Sequence, residues 1–362
     1  MSENILVYRL GSLGDTVVAL PSLHRVRRSF PDARLVILTN KPVLGKAAPM
    51  VSILGSDYFS HRLLCYPVGT RNPWDLFSLL FSIRRLRIKT MVYLAAARSR
   101  QDVLRDRVFF RLCGIRRIIG VPKEESDFIS QIDHGTGLYE NEAARLARRV
   151  RELGPIDLDD QAAWDLHIQE SERREAEELI KPLKGYPFLA VSLGTKMQSK
   201  DWGVTNWSKL LKQLTQALPD VGLLLVGSGD EAQQADSCAA AWKGTVVNIC
   251  GKASPRISAA AMEQASFFVG HDSGPMHLAS AVGVPCVAIF SARSLPGHWY
   301  PYGASHKIIY HKTTCFGCNL SECIDEGKRC LRSITVVEVM SAVMSLLREL
   351  PSCATWVRSE LE

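Results

Sequence analysis

The sequence predicts an α/β protein built from two doubly wound domains of similar size. Three observations carry that expectation. At 362 residues the chain is longer than one core comfortably serves. Short apolar runs alternate with segments of helical spacing along most of its length. The composition, 46% hydrophobic and 22% charged, is that of a globular protein and excludes a disordered or fibrous chain. No apolar run approaches about 18 residues, so no membrane span is expected. The opening Ile5-Leu6-Val7-Tyr8 meets Arg9 too soon for a signal peptide, and no small-residue cleavage site follows. A cytoplasmic protein is the expectation.

Residues 4–9 read as a buried strand and 10–15 as a glycine-bearing turn. Over 16–29, Val17, Leu20, Leu23 and Val26 fall on one side and predict a helix. A strand at 34–39 closes a strand–helix–strand unit, which implies parallel pairing. Further strands are predicted at 90–94 and 117–120, with helices at 74–86 and 103–112. From about 154 to 186, Pro155, an acidic stretch and a charged helix over 171–180 predict an interdomain connection. Asp157-Leu158-Asp159 resembles an acidic metal-binding triplet but has no flanking buried strand, which assigns it to solvent. A second series follows, with strands at 188–192, 222–226, 245–249, 267–269 and 287–290. Its helices are predicted at 206–217, 230–241, 257–264 and 275–282, and an amphipathic helix over 335–350 ends the chain. The expected division is 1–160, a linker 161–185, a domain 186–335, and a terminal helical segment 336–362 that could pack back on the first domain. Ligands of such sheets sit at the carboxyl ends of the strands, which puts them in the cleft between the domains.

The net charge of +7 is unevenly spread. Residues 1–150 carry 24 Lys+Arg against 13 Asp+Glu, a net of +11, and the remainder carries a net of −4. A basic half suits an anionic partner: nucleic acid, a phosphorylated glycolipid or an acidic membrane surface. Nucleic acid would predict aromatics interleaved with the basic patch. The arginines over 98–117 have only Phe109 and Phe110, whose expected place is the core.

Four glycine-bearing loops follow predicted strands. In the last, Phe267-Phe268-Val269-Gly270 runs into His271-Asp272-Ser273-Gly274-Pro275-Met276-His277. Ser273 suits an N-cap and Pro275 the first helical turn. The free amides and positive end of that helix would bind a phosphate, with His277 one turn inside. Ser192-Leu193-Gly194-Thr195, with Lys196, Lys200 and Trp202 behind it, offers a hydroxyl and a cation for the same purpose. Gly227-Ser228-Gly229-Asp230-Glu231 places an acid to accept from ribose hydroxyls. Near the N-terminus, Gly11 and Gly14 allow close backbone approach and Asp15 stands at a helix mouth. There Asp15 is either a cap or a general base. The spacing is not G-x-G-x-x-G, so a dinucleotide site is not indicated.

Together, R-L-G-S-L-G-D-T-V-V-A-L-P-S-L at the start, K-x-W after the G-T loop, and H-D-S-G-P-M-H-L-A-S-A-V-G-V-P resemble glycosyltransferase family 9, the lipopolysaccharide heptosyltransferases. The likeness runs along the whole chain, and Phe290 with Trp299-Tyr300-Pro301 extends its last motif. It implies a GT-B fold, two Rossmann-like doubly wound domains facing across a cleft, with acceptor on the first and nucleotide sugar on the second. It implies inverting, metal-independent transfer from ADP-heptose to a lipopolysaccharide core acceptor. Asp15 then matches the general base and Lys200 the cation that neutralises the leaving diphosphate. Gly14, Thr195, Asp272, Ser273, Gly274 and His277 fall in the donor-binding motifs. Glu231 matches the ribose-binding acid, with Asp230 one residue away as the open alternative. Arg98 and Arg100 would meet an acceptor's phosphates or carboxylates, with Arg105 and Arg107 behind them. The expected partners are the nucleotide sugar, an anionic glycolipid and, peripherally, the inner membrane, with no nucleic acid.

Two other readings stay open. One keeps the family but uses another nucleotide sugar for O-antigen or exopolysaccharide assembly. The other is a nucleotide-sugar-binding protein without turnover, for which an acid at Asp15 has no use. No cofactor is expected for catalysis. Cys315, Cys318, Cys323 and Cys330 are spaced as a candidate structural zinc or iron site, or as free thiols.

Overall fold

The structure, a computed structural model, describes residues 3–41, 50–55, 58–67, 69–70, 72–96, 99–353 and 356. The chain divides into two compact units, Met1–His167 and Ile168–Glu362. Among the described residues no helix is long and apolar enough to cross a membrane.

The first unit is a five-stranded parallel sheet of β1 (Asn4–Tyr8), β2 (Arg34–Asn40), β3 (Arg62–Tyr66), β4 (Thr90–Tyr93) and β5 (Arg117–Ile119), in the order β3-β2-β1-β4-β5. Central β1 is apolar because helices cover both of its faces. Those helices are α1 (Leu13–Val17), α2 (Leu20–Ser29), α3 (Val51–Leu54), α4 (Pro73–Arg85), α5 (Arg100–Leu112) and α6 (Glu142–Arg149). The single helix expected over 16–29 is instead two, because Pro21 opens a new helix in its first turn. Phe110 is buried on α5 and Phe109 packs against the same core, as the sequence suggested. Asp157 and Asp159 are exposed, and Asp157 serves a local turn by accepting from the Asp159 amide.

The second unit is a six-stranded parallel sheet of β6 (Phe188–Ser192), β7 (Gly222–Leu225), β8 (Val246–Asn248), β9 (Phe268–His271), β10 (Cys286–Phe290) and β11 (Lys307–Tyr310). Their order is β11-β10-β9-β6-β7-β8. Its helices are α7 (Glu170–Leu179), α8 (Val204–Ala217), α9 (Ala232–Ala239), α10 (Pro255–Met262), α11 (Gly274–Ala281), α12 (Arg329–Arg332) and α13 (Val336–Glu349). The division between the units, after His167, falls inside the expected linker 161–185. Its first residues are not loose, since Ala163, Trp164 and Leu166 are buried. Helix α7 packs on α10, where Arg256 binds Glu172 at 2.7 Å. Helix α13 packs within the second unit. Val339, Val343, Leu346 and Leu347 form one apolar stripe, and it is buried against α8, β10 and β11.

Candidate functional site

The second unit gathers its glycine-bearing loops at the carboxyl ends of β6, β7 and β9. At the end of β9 the chain turns through Asp272 and Ser273 into α11, with Pro275 in the first turn. Ser273 is the N-cap residue, as expected, but its hydroxyl makes no cap hydrogen bond. The first amides of α11 are therefore not taken by that side chain, and the positive end of the helix is left for an anion. Lys200 closes on this turn. Its Nζ donates to the Asp272 carbonyl at 3.1 Å and pairs with Asp272 Oδ2 at 2.7 Å. His277, buried one turn in, has Nε2 4.0 Å from Asp272 Oδ1, and its ring lies 6.3 Å from that of Trp299. Lys200, from the K-x-W motif, thus joins Asp272, Ser273, Gly274 and His277 of the H-D-S-G-P-M-H motif in one cluster.

Thr195 lies half-buried in the loop after β6, where Oγ1 accepts from the Met197 amide at 3.5 Å. Across that loop stands Glu231. Its Oε2 accepts from the Ser228 amide at 3.0 Å, and its carboxylate fills the space above Gly194 and Gly227. A Cβ on Gly194 would lie 1.9 Å from Glu231 Cδ, so glycine is needed there for room. Asp230 points elsewhere, accepting from the Ser228 hydroxyl on the exposed side. Of the two acids, Glu231 is the one that reaches the β6 loop.

Sequence reasoning passed over what lies beneath. His271 is fully buried and accepts from the Trp202 amide through Nε2 at 3.0 Å, with Trp207 edge-on at 5.1 Å. Burial pushes its pKa down to about 4, so it is neutral. It ties the Lys200–Trp202 segment to the turn before α11, and a histidine ending an apolar strand was its only signal. Among the described residues, the buried hydroxyls of Ser192 at the end of β6 and Ser291 just after β10 have no hydrogen-bond partner. Such groups are costly unless something else satisfies them.

In the first unit, Gly11 has φ +136°, and a Cβ there would strike Asp15 at 2.3 Å. Asp15 sits at the third position of α1, and its Oδ2 accepts from the Ser12 amide at 2.8 Å and the Ser12 hydroxyl at 3.2 Å. That is a capping box, so one carboxylate oxygen of Asp15 serves as a cap. Oδ1 is left 3.8 Å from Arg9, and the side chain is 27% exposed, so the carboxylate remains reachable. Gly14 lies in the same short helix. Arg9 is wholly buried: it donates to the Asp15 carbonyl at 2.8 and 3.0 Å, to the Leu94 carbonyl at 2.8 Å, and to Glu142 at 3.1 Å. Arg145 holds the same carboxylate at 2.6 Å. An arginine directly after a buried strand was the legible sign of this network. Arg100, in the first turn of α5, is exposed and paired with Glu125. Arg105 is engaged by Asp102 and Asp106 on its own helix, and Arg107 is exposed. Arg98 lies outside the described residues.

The four cysteines lie beyond these loops. Cys315, Cys323 and Cys330 are half-buried and Cys318 is exposed. Burial raises the Cys330 pKa, and the charges of Cys315 and Cys323 push it the same way. Among the described residues no group of three or more His, Cys, Asp or Glu is arranged to hold a metal ion.

Against known proteins, residues 107–328 match the model of Glycosyltransferase family 9 (heptosyltransferase). The chain is 30% identical over 185 residues to lipopolysaccharide heptosyltransferase 1 of Pseudomonas aeruginosa. That alignment takes 50% of this chain and 47% of the relative, so it spans about half the length of that protein. Among solved structures, a family 9 glycosyl transferase from Veillonella parvula superposes with TM-score 0.70 at 18% identity, covering 96% of this chain and 98% of that one. An E. coli heptosyltransferase solved with ADP-2-deoxy-2-fluoro heptose gives TM-score 0.61 at 16% identity, over 94% and 99%.

Proposed function

The chain belongs to glycosyltransferase family 9, and from that premise we propose that it transfers heptose from ADP-heptose to a lipopolysaccharide-type core acceptor with inversion at the anomeric carbon. Its two parallel-sheet α/β domains are those of a GT-B glycosyltransferase. The observation that carries the donor half is the closure of Lys200 on Asp272 at the start of α11.

In this reading the diphosphate lies on the amides of Ser273 and Gly274, with Lys200 beside it. The lysine and the helix end neutralise the charge that builds on the diphosphate as the anomeric C–O bond breaks. They supply what a divalent cation would otherwise supply, which makes the proposed reaction metal-independent. Glu231 accepts from the ribose hydroxyls, with Thr195 beside it. Asp15 takes the proton from the attacking acceptor hydroxyl while that oxygen forms the new glycosidic bond. Ser12 holds one oxygen of the carboxylate still, which leaves Oδ1 for the proton. Arg98 and Arg100 belong to acceptor binding, and the lipid anchor of such an acceptor would hold the protein at the cytoplasmic side of the inner membrane.

A thermal-shift panel of ADP, UDP, GDP and TDP tests the donor assignment. Stabilisation by ADP alone is expected. Stabilisation by UDP without ADP removes the heptose donor and leaves the fold untouched. Transfer that persists in EDTA is expected, and its loss would overturn metal independence.

A structural metal at the four cysteines is a separate proposal. Thiols are the donors that zinc and iron take, and Cys315 and Cys323 each lie near enough to Cys330 to push its pKa up. Binding would have to draw the thiols together, since among the described residues no three are arranged to hold a metal ion. About one zinc or iron per chain in purified protein is the expected result, and a stoichiometry near zero removes the proposal.

A further inference from the structure

The outward faces of α4 and α5 are unexplained by catalysis or folding. Both helices bury their inner sides in one core through Leu79, Ile83, Val103 and Phe110. They lie alongside each other, with Arg84 Nε donating to the Leu112 carbonyl at 3.0 Å. Their opposite sides carry Trp74, Phe77 and Phe81 on α4 and Leu104, Val108 and Leu112 on α5. Each of these six side chains is more than half exposed. Spacings of three and four residues line each trio into a single stripe. Two neighbouring exposed apolar stripes mark an interaction surface rather than scattered surface residues.

The charge around the stripes decides the partner. Residues 73–117 hold 11 Lys+Arg against 3 Asp, and Arg85, Arg107 and Arg111 stand exposed beside the apolar rows. A second copy of the chain would bring this basic surface against itself, arginine facing arginine. An anionic bilayer satisfies both features, taking the rings and aliphatic side chains into its interface while the arginines meet its phosphates. We propose that the α4–α5 face docks the protein peripherally on a membrane containing anionic lipid. Trp74 and Arg100 lie at the N-terminal ends of these helices, the ends that follow the carboxyl ends of β3 and β4. That is the edge where ligands of parallel sheets bind. The inference deepens the glycolipid-acceptor reading and rests on it, but the docking is measured without turnover.

Co-sedimentation of the full chain with vesicles tests it. Vesicles containing phosphatidylglycerol should retain the protein and phosphatidylcholine vesicles should not, with retention weakening as salt rises. Phe77→Ser with Phe81→Ser, and separately Arg85→Glu with Arg107→Glu, should each lower vesicle partition about tenfold or more. Both double variants should keep the wild-type melting temperature and the wild-type thermal shift with ADP. Wild-type protein that stays in the supernatant overturns the proposal, as does undiminished sedimentation of either variant. A wild-type dimer that the phenylalanine variant converts to monomer, with vesicle binding unchanged, reassigns the face to self-association. Vesicle binding without any response to ADP would count against the donor reading alone.

Discussion

Acid should weaken the second domain through His271, and the size of the effect follows from the structure. The imidazole is fully buried, its Nε2 accepts from the Trp202 amide, and burial lowers its pKa from 6.5 to about 4. Because the folded pKa lies below the unfolded one, the unfolded chain binds the extra proton first. Stability is therefore full above pH 6.5 and falls as pH drops from 6.5 towards 4. Linkage between those two values gives a loss of about 2 kcal/mol from pH 7 to pH 5 and about 3 kcal/mol by pH 4. Denaturant unfolding followed by tryptophan fluorescence suits the measurement, since Trp202 and Trp207 adjoin the ring. His271→Gln keeps an acceptor for the Trp202 amide and removes the titration. The variant should start less stable at pH 7, because a core fitted to imidazole is repacked, yet lose about 2 kcal/mol less than wild type on going to pH 5. Equal losses in the two proteins would refute the buried neutral histidine as the source.

Three further perturbations separate the roles assigned above. Asp15→Ala should lower transfer by about 10²-fold or more while ADP binding, by calorimetry, stays at the wild-type level; unchanged transfer would remove the base assignment. Glu142→Gln should cost the first domain about 3–5 kcal/mol, since Arg9 and Arg145 would share no buried counter-charge; a melting temperature within a degree or so of wild type would show that this carboxylate is dispensable. Gly194→Ala should displace Glu231 from the Ser228 amide and weaken ADP binding about tenfold or more with little change in melting; wild-type ADP affinity would sever Glu231 from the donor site.

The strands at the centres of both sheets were legible because burial on two faces demands continuous apolar runs, as in β1, β6 and β10. The edge strands β3 and β11 were not, since Arg62-Leu63-Leu64-Cys65-Tyr66 and Lys307-Ile308-Ile309-Tyr310 are only half covered and read as loop. Helix α6 escaped for the opposite reason. Glu142, Arg145 and Arg149 look like a solvated charged face, yet all three are buried, where Arg9 donates to Glu142 and the Ala95 and Gly120 carbonyls accept from Arg145 and Arg149. The turn between β9 and α11 was visible as a strand–turn–helix with glycine and serine. The tether from His271 to Trp202 was not, because a contact across 69 residues leaves no mark on local spacing.

Asp15 and Ser273 show why local patterns leave helix starts ambiguous. A capping residue and a ligand-binding residue answer the same demand, the unsatisfied amides of a first turn. At α1 the side chain meets that demand itself: Asp15 Oδ2 is spent on Ser12, and only the other oxygen is left for chemistry. At α11 the serine withholds its hydroxyl and the amides stay open, with Lys200 drawn in beside them. What separates the two starts is the second carboxylate oxygen in one case and the uncapped amides in the other. Spacing encodes neither of these. The first start is therefore suited to moving a proton, and the second to holding an anion. That division of labour is what transfer from a nucleotide sugar requires of two domains.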